Sequence, residues 1–145
     1  EEIINSFKET SSKEIILVSD NDKNKIDIQR SAEMIYGLRN FIGNAIKFSK
    51  SRVNIFLTSN DKEIKITVND DGPGFPKDII EKLGEPYIKS RSIELNSNSG
   101  LGLGTFLGKT LLERKNAKML FKDDKNLGGA SVVISWSPKN ILLNA

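Results

Sequence analysis

The sequence predicts an α/β (α+β) two-layer sandwich, a mixed and mostly antiparallel sheet with about three helices packed on one face. Three observations lead there. Apolar and polar residues alternate in paired stretches, as they do in strands with one buried face. Two other stretches repeat apolar residues at three- and four-residue spacing, the mark of an amphipathic helix. The order strand, helix, hairpin, short helix, loop, helix, hairpin then lets the helices cover one side of the sheet. At 145 residues the chain has the length of one domain with one core, so we read a single domain over residues 1–145.

The first strand is expected from Lys13 to Asp20, where a β-branched apolar run precedes the polar turn NDKNK. The longest helical pattern runs from Ser31 to Ser49, with Met34, Leu38, Phe41, Ala45 and Phe48 on one broad face beside Ile35, Ile42 and Ile46. A hairpin follows. Val53, Ile55 and Leu57 alternate on one arm and Ile64, Ile66 and Val68 on the other, around the polar TSNDKE. PKDIIEKLG reads as a short helix, with Pro76 suited to its first turn and Gly84 to its end. Residues Lys89 to Ser99 are rich in Ser and Asn and read as a mobile loop. A second amphipathic helix is expected from about Gly104 to Lys115, then a strand at Met119 to Lys122, a DDKNLGG turn and a closing strand in ASVVISW.

Composition narrows the chemistry. The chain has no His and no Cys, which removes disulfides, thiolate chemistry, a histidine general base and imidazole metal ligands. Any metal should be a hard cation held by oxygen, which points to magnesium. The net charge of +3 comes with scattered lysines, a poor basis for nucleic-acid binding. No stretch approaches the roughly 20 apolar residues that span a bilayer. The opening EEIINSFKET lacks the basic flank and apolar run of an export signal, so none is expected there.

Three motifs carry functional chemistry. At 100° per residue Asn40, Asn44 and Lys47 fall within about 60° of one another, opposite the apolar face of their helix. Such a stripe is often only a solvated face. Yet Asn is a mediocre helix former, an amide oxygen can ligate magnesium, and a Lys one turn on can meet a phosphate. The second motif, NDDGPGFP, ends an apolar strand with Asp70, Asp71, Gly72 and Gly74. It makes a good turn, and it would also let a planar ligand approach the backbone while a carboxylate accepts from an exocyclic amine such as that of adenine. The third, SGLGLGTFLGKT, leads Gly100, Gly102 and Gly104 into a helix whose free N–H groups favour phosphate, or forms a plain flexible turn. It is neither a Walker A loop, whose first Gly would fall at Leu103, nor a dinucleotide fingerprint, which needs Gly at Thr105.

Taken together and in this order, LRNFIGNAIKFS, DDGPG and GLGLG resemble the N, G1 and G2 boxes of bacterial sensor histidine kinase catalytic domains. These domains belong to a superfamily that also holds gyrase B, heat-shock protein 90 and MutL. The likeness runs from about Lys13 to Pro138, and LGEPYIKSR and KTLLER look like the RegB/PrrB group. The resemblance implies an ATP- and magnesium-binding domain. Asn44 would ligate the metal, Asn40 would sit beside the metal and its waters, Lys47 would contact phosphate, and Phe48 would close the pocket. Asp70 would receive the adenine amine, with Gly72 and Gly74 letting the base lie close and Asp71 at a variable position. Residues 89–99 would be the ATP lid, where Lys89 or Arg91 reaches the terminal phosphate, and Gly100, Leu101, Gly102, Leu103, Gly104 and Thr105 would form its hinge and phosphate-facing backbone. Residues 1–12 would be a linker from a dimerisation domain bearing the phosphoacceptor histidine. The implied partners are ATP, that histidine and a response regulator, and the implied setting is the cytoplasm, beneath an inner-membrane anchor elsewhere in the full protein.

Two departures stand out. GEPY keeps Pro86 and Tyr87 of the F box but has Gly84 where Phe is usual, and Thr105 replaces the apolar residue that usually follows the last glycine. The superfamily offers two rivals. One is an ATP-driven clamp, which would carry a water-activating Glu where Asn40 stands, and an amide cannot take that proton. The other is a serine kinase of the anti-sigma type. Beyond these stands a degenerate domain that only docks a partner, which the intact glycines and both Asn residues argue against.

Overall fold

The computed structural model describes residues 2–19, 30–75, 103–124 and 126–141. The expected short helix at 76–84, the lid at 89–99 with Lys89 and Arg91, and Gly100, Leu101 and Gly102 lie outside them. So does the NDKNK turn. The described elements are α1 (Glu2–Thr10), β1 (Glu14–Ser19), α2 (Ala32–Phe48), β2 (Arg52–Ser59), β3 (Ile64–Asp70), α3 (Leu103–Arg114), β4 (Lys118–Asp123), β5 (Ala130–Trp136) and the one-turn α4 (Pro138–Ile141).

The strands form one sheet in the order β1-β2-β3-β5-β4. Only β1 and β2 run parallel, joined through α2, and the remaining pairs are antiparallel. This is the expected mixed sheet in a two-layer α/β sandwich. Alternation fixes which face is buried: Ile15, Val53, Ile55, Val68, Val132 and Ile134 point toward the helices and are buried. Met34, Leu38 and Phe41 of α2 and Leu112 of α3 cover the β5 side, while Ile42 and Ala45 of α2 and Ile4 of α1 cover the β1–β2 side.

Helix α2 starts where Ser31, in extended backbone, accepts the Met34 N–H at 3.1 Å, satisfying one of the free donors of the first turn. Helix α3 ends in a Schellman arrangement. Asn116 takes φ 69°, its N–H reaches Glu113 O, and the Ala117 N–H reaches Leu112 O at 3.1 Å. The β2–β3 turn is closed by Asn60, whose side chain accepts the Lys62 and Glu63 N–H groups.

The sequence reading placed a linker at residues 1–12, and residues 2–10 are helical. Ile4 is buried and Phe7 lies against α2, with the Arg39 guanidinium 5.0 Å from the Phe7 ring centroid. This segment is therefore packed into the domain. No helix among the described residues is long and apolar enough to cross a membrane.

Candidate functional site

An open cavity of about 150 Å³ lies between α2, the end of β3 and the start of α3. Its walls are Phe41, Asn44, Ala45, Phe48, Asp70, Pro73, Gly74, Phe75, Thr105 and Ala130. The lining is mostly apolar with three polar side chains, the composition expected of a pocket for a flat organic ring bearing a few hydrogen-bonding edges. Phe121 backs it, stacking in tilted fashion on Phe41 at 5.7 Å and edge-on to Phe75 at 6.0 Å.

Asp70 is 4% exposed. Its Oδ1 accepts the Gly72 N–H at 2.9 Å and the Ala130 N–H at 3.2 Å, so the carboxylate is pinned by the chain that follows it and by β5. Burial pushes its pKa up, against those two hydrogen bonds, which lower it, while the charges of Asp71 and Asp124 add to the rise. Two glycines make room for this packing. A Cβ on Gly72 would stand 2.2 Å from Phe48 O, and one on Gly129 would stand 2.2 Å from Asp70 O. Gly74 borders the cavity at φ 81°.

From α2, Asn44 donates through Nδ2 to Thr105 Oγ1 at 2.9 Å and to Asn40 Oδ1 at 3.3 Å. The Asn40–Asn44 part of the stripe is thus half-buried against α3, where Gly108 packs on Asn40 and Gly37 on Leu112. It is not a solvated face. Lys47 is exposed, with its ammonium 5.5 Å from the Phe48 ring centroid, and it does not line the cavity.

The sequence-predicted Asn44, Phe48, Asp70, Gly74 and Thr105 therefore meet around one cavity, with Asn40 and Gly72 directly behind them. Leu103 and Gly104 open α3. The sequence reading missed Ala130, whose N–H holds Asp70 from β5, Gly129, which packs closely against Asp70, and the aromatic walls Phe41 and Phe75. The double glycine ahead of an alternating strand was the available signal for the first pair.

Comparison with known proteins identifies the class. Residues 29–140 match the family model described as "Histidine kinase-, DNA gyrase B-, and HSP90-like ATPase", and the chain belongs to that family. Within it, the chain is similar to the sensor histidine kinase RegB of Cereibacter sphaeroides, 40% identical over 105 residues, which cover 69% of this chain and 23% of RegB. It is also similar to the sensor histidine kinase CpxA of Escherichia coli, 29% identical over 101 residues, covering 70% of this chain and 22% of CpxA. The chain thus spans less than a quarter of these relatives. Among solved structures, the catalytic domain of the histidine kinase ThkA matches with a TM-score of 0.71 at 19% identity, covering 94% of this chain and 89% of that one. The ATP-binding domain of PrrB from Mycobacterium tuberculosis matches with a TM-score of 0.66 at 17% identity, covering 94% and 91%. These two likenesses speak to the fold.

Proposed function

We propose that this chain binds ATP with magnesium and presents the γ-phosphate to a histidine on a separate dimerisation domain, as the catalytic domain of a sensor histidine kinase. The observation that carries this reading is that Asp70, at the end of β3, and Asn44, on α2, line one cavity. Asp70 is a fixed acceptor for the adenine amine between apolar and aromatic walls, and the Asn44 end supplies an amide oxygen toward the phosphates.

The donor set fits magnesium. Asn44 commits Nδ2 to Asn40 and Thr105, and its Oδ1 accepts no hydrogen bond among the described residues. The Asn44 amide oxygen, phosphate oxygens and water would hold the ion, all hard oxygen ligands of the kind magnesium takes. When bound, magnesium neutralises phosphate charge. The chain's own work is to orient the nucleotide: Asp70 and the Phe41, Phe48 and Phe75 rings seat the base, and Asn40, Asn44 and Lys47 attend to the phosphates. Lys89 and Arg91 would reach the terminal phosphate from the lid, with Gly100, Gly102 and Gly104 as its hinge. Phosphoryl transfer asks for positioning and charge stabilisation more than for covalent chemistry, which suits such a site. Asn40, an amide, is unfit to activate water, and this favours transfer over steady hydrolysis.

The chain has no His, so the acceptor must lie outside it. Such a domain would work in the cytoplasm, upstream of a response regulator. Incubated with labelled ATP and magnesium, the chain should bind nucleotide yet stay unlabelled, and a supplied dimerisation domain with its histidine should take the label. A stable phosphoryl adduct on this chain, or no nucleotide binding, would overturn the reading.

A further inference from the structure

The turn that joins α2 to β2 is gripped from two sides. From upstream of β1, Lys13 Nζ donates to Ile46 O at 2.5 Å, Lys47 O at 3.2 Å and Ser49 O at 2.7 Å. These are carbonyls at the end of α2, where free acceptors and the negative end of the helix dipole collect. One cation thus caps the helix from 33 to 36 residues away in sequence.

From the other side, Asp71 accepts the N–H groups of Lys50 at 2.8 Å, Ser51 at 3.1 Å and Arg52 at 3.2 Å, and the Ser51 hydroxyl at 2.8 Å. Three successive backbone N–H groups pointing at one carboxylate form an anion nest, and a charged acceptor strengthens each bond. Burial works to raise the Asp71 pKa, but the hydrogen bonds from Ser51, Arg52 and Lys50 outweigh it and hold the carboxyl well below the usual carboxylate range. Main-chain bonds from Glu14 N to Ser51 O at 2.8 Å and from Asp71 N to Arg52 O at 3.3 Å close the same knot.

What this knot fixes is the pocket. Phe48, the last residue of α2, gives its ring to the cavity wall, and its carbonyl occupies the space that a Gly72 side chain would need. A displaced turn would therefore shift Phe48 against the Asp70–Gly72 segment. We propose that Lys13 and Asp71 are positioning residues for the nucleotide site, clamping the α2–β2 turn so that Phe48 and Asp70 keep their spacing across the cavity. The proposal rests on the nucleotide reading given above. It assigns a task to the motif position read from sequence as variable, and to a lysine that no motif contained. Neither side chain lines the cavity, so each acts through the turn.

The test measures affinity for a fluorescent ATP analogue with magnesium, alongside thermal melting, on the 145-residue chain and its variants. Lys13→Met and Asp71→Ala should bind about tenfold more weakly at a temperature where melting shows them folded, the loss expected for one charge-assisted anchor. Lys13→Arg should recover most of the affinity. Ile64→Ala, at the far end of β3, provides a variant of lowered stability that should bind like wild type. Should Asp71→Ala not fold, Ser51→Ala replaces it, because it removes only the hydroxyl donor and should cost about threefold. Clamp variants that are folded and bind like wild type would overturn the proposal and leave the nucleotide reading standing, as would an equal loss in Ile64→Ala. A wild-type chain that binds no nucleotide would overturn the nucleotide reading and this proposal with it.

Discussion

The Asn44 amide donates to the Thr105 hydroxyl at 2.9 Å, and this bond ties the C-terminal part of α2 to the first turn of α3. Thr105 is 2% exposed. Its hydroxyl orients Asn44, turning Nδ2 toward α3 and freeing Oδ1.

Thr105→Val keeps the shape and removes the acceptor. Its expected cost is about 1 kcal/mol, the net value of one hydrogen bond, or roughly fivefold in affinity. The loss should fall on the magnesium-dependent part of nucleotide affinity, with Thr105→Ser near wild type. Calorimetric titrations with magnesium and with chelator separate the two parts; equal losses in both would argue against an orienting role for the hydroxyl.

Asp70→Asn divides stability from binding. A carboxylate whose folded pKa is raised contributes stability below its ordinary value and loses that contribution as pH rises through the folded value. At neutral pH the buried charge is therefore a cost, and the asparagine variant should match or exceed wild-type stability. Urea unfolding at pH 4 and pH 7 should show wild type falling behind the variant as pH rises. The same variant should bind adenine nucleotides at least about a hundredfold more weakly, since a fixed anionic acceptor inside an apolar wall has been neutralised. Normal binding would mean that the base sits elsewhere.

Two glycine substitutions should part company. In Gly129→Ala the new Cβ meets Asp70 O at 2.2 Å, a main-chain atom of the adjoining strand that cannot swing aside, and roughly 3 kcal/mol of destabilisation is expected. In Gly43→Ala, within α2, the nearest atom is the Phe7 ring at 3.4 Å, and alanine gains up to about 1 kcal/mol of helix propensity. Thermal melts should place the second variant at or above wild type.

Much of this architecture was readable in advance because its signals are local. The three- and four-residue spacing of Met34, Leu38, Phe41 and Ala45 marks α2, and the alternation through Val53, Ile55, Ile66 and Val68 marks the hairpin. Helix α1 was missed because nine residues with Ile3, Ile4 and Phe7 make a short pattern with no capping signal, and its stability comes from docking on α2. In the site, Asp70 and Asn44 announce themselves by residue type. Ala130 does not, because what it contributes is a backbone N–H brought to Asp70 by strand register from 60 residues away. Asp71 looked like an interchangeable turn residue since its partners, Lys50, Ser51 and Arg52, come together with it only once β2 and β3 pair.

Both donors that hold Asp70 belong to the main chain, and every amino acid except proline carries such a group. The acceptor's aim therefore depends on strand geometry and hardly at all on which side chains surround it. Drift in residues 130–136 that preserves β5, and keeps residue 130 as small as the cavity wall requires, would leave that aim untouched, whereas a single methyl group at residue 129 would not. Within this pocket, evolutionary freedom and constraint sit side by side on adjacent residues.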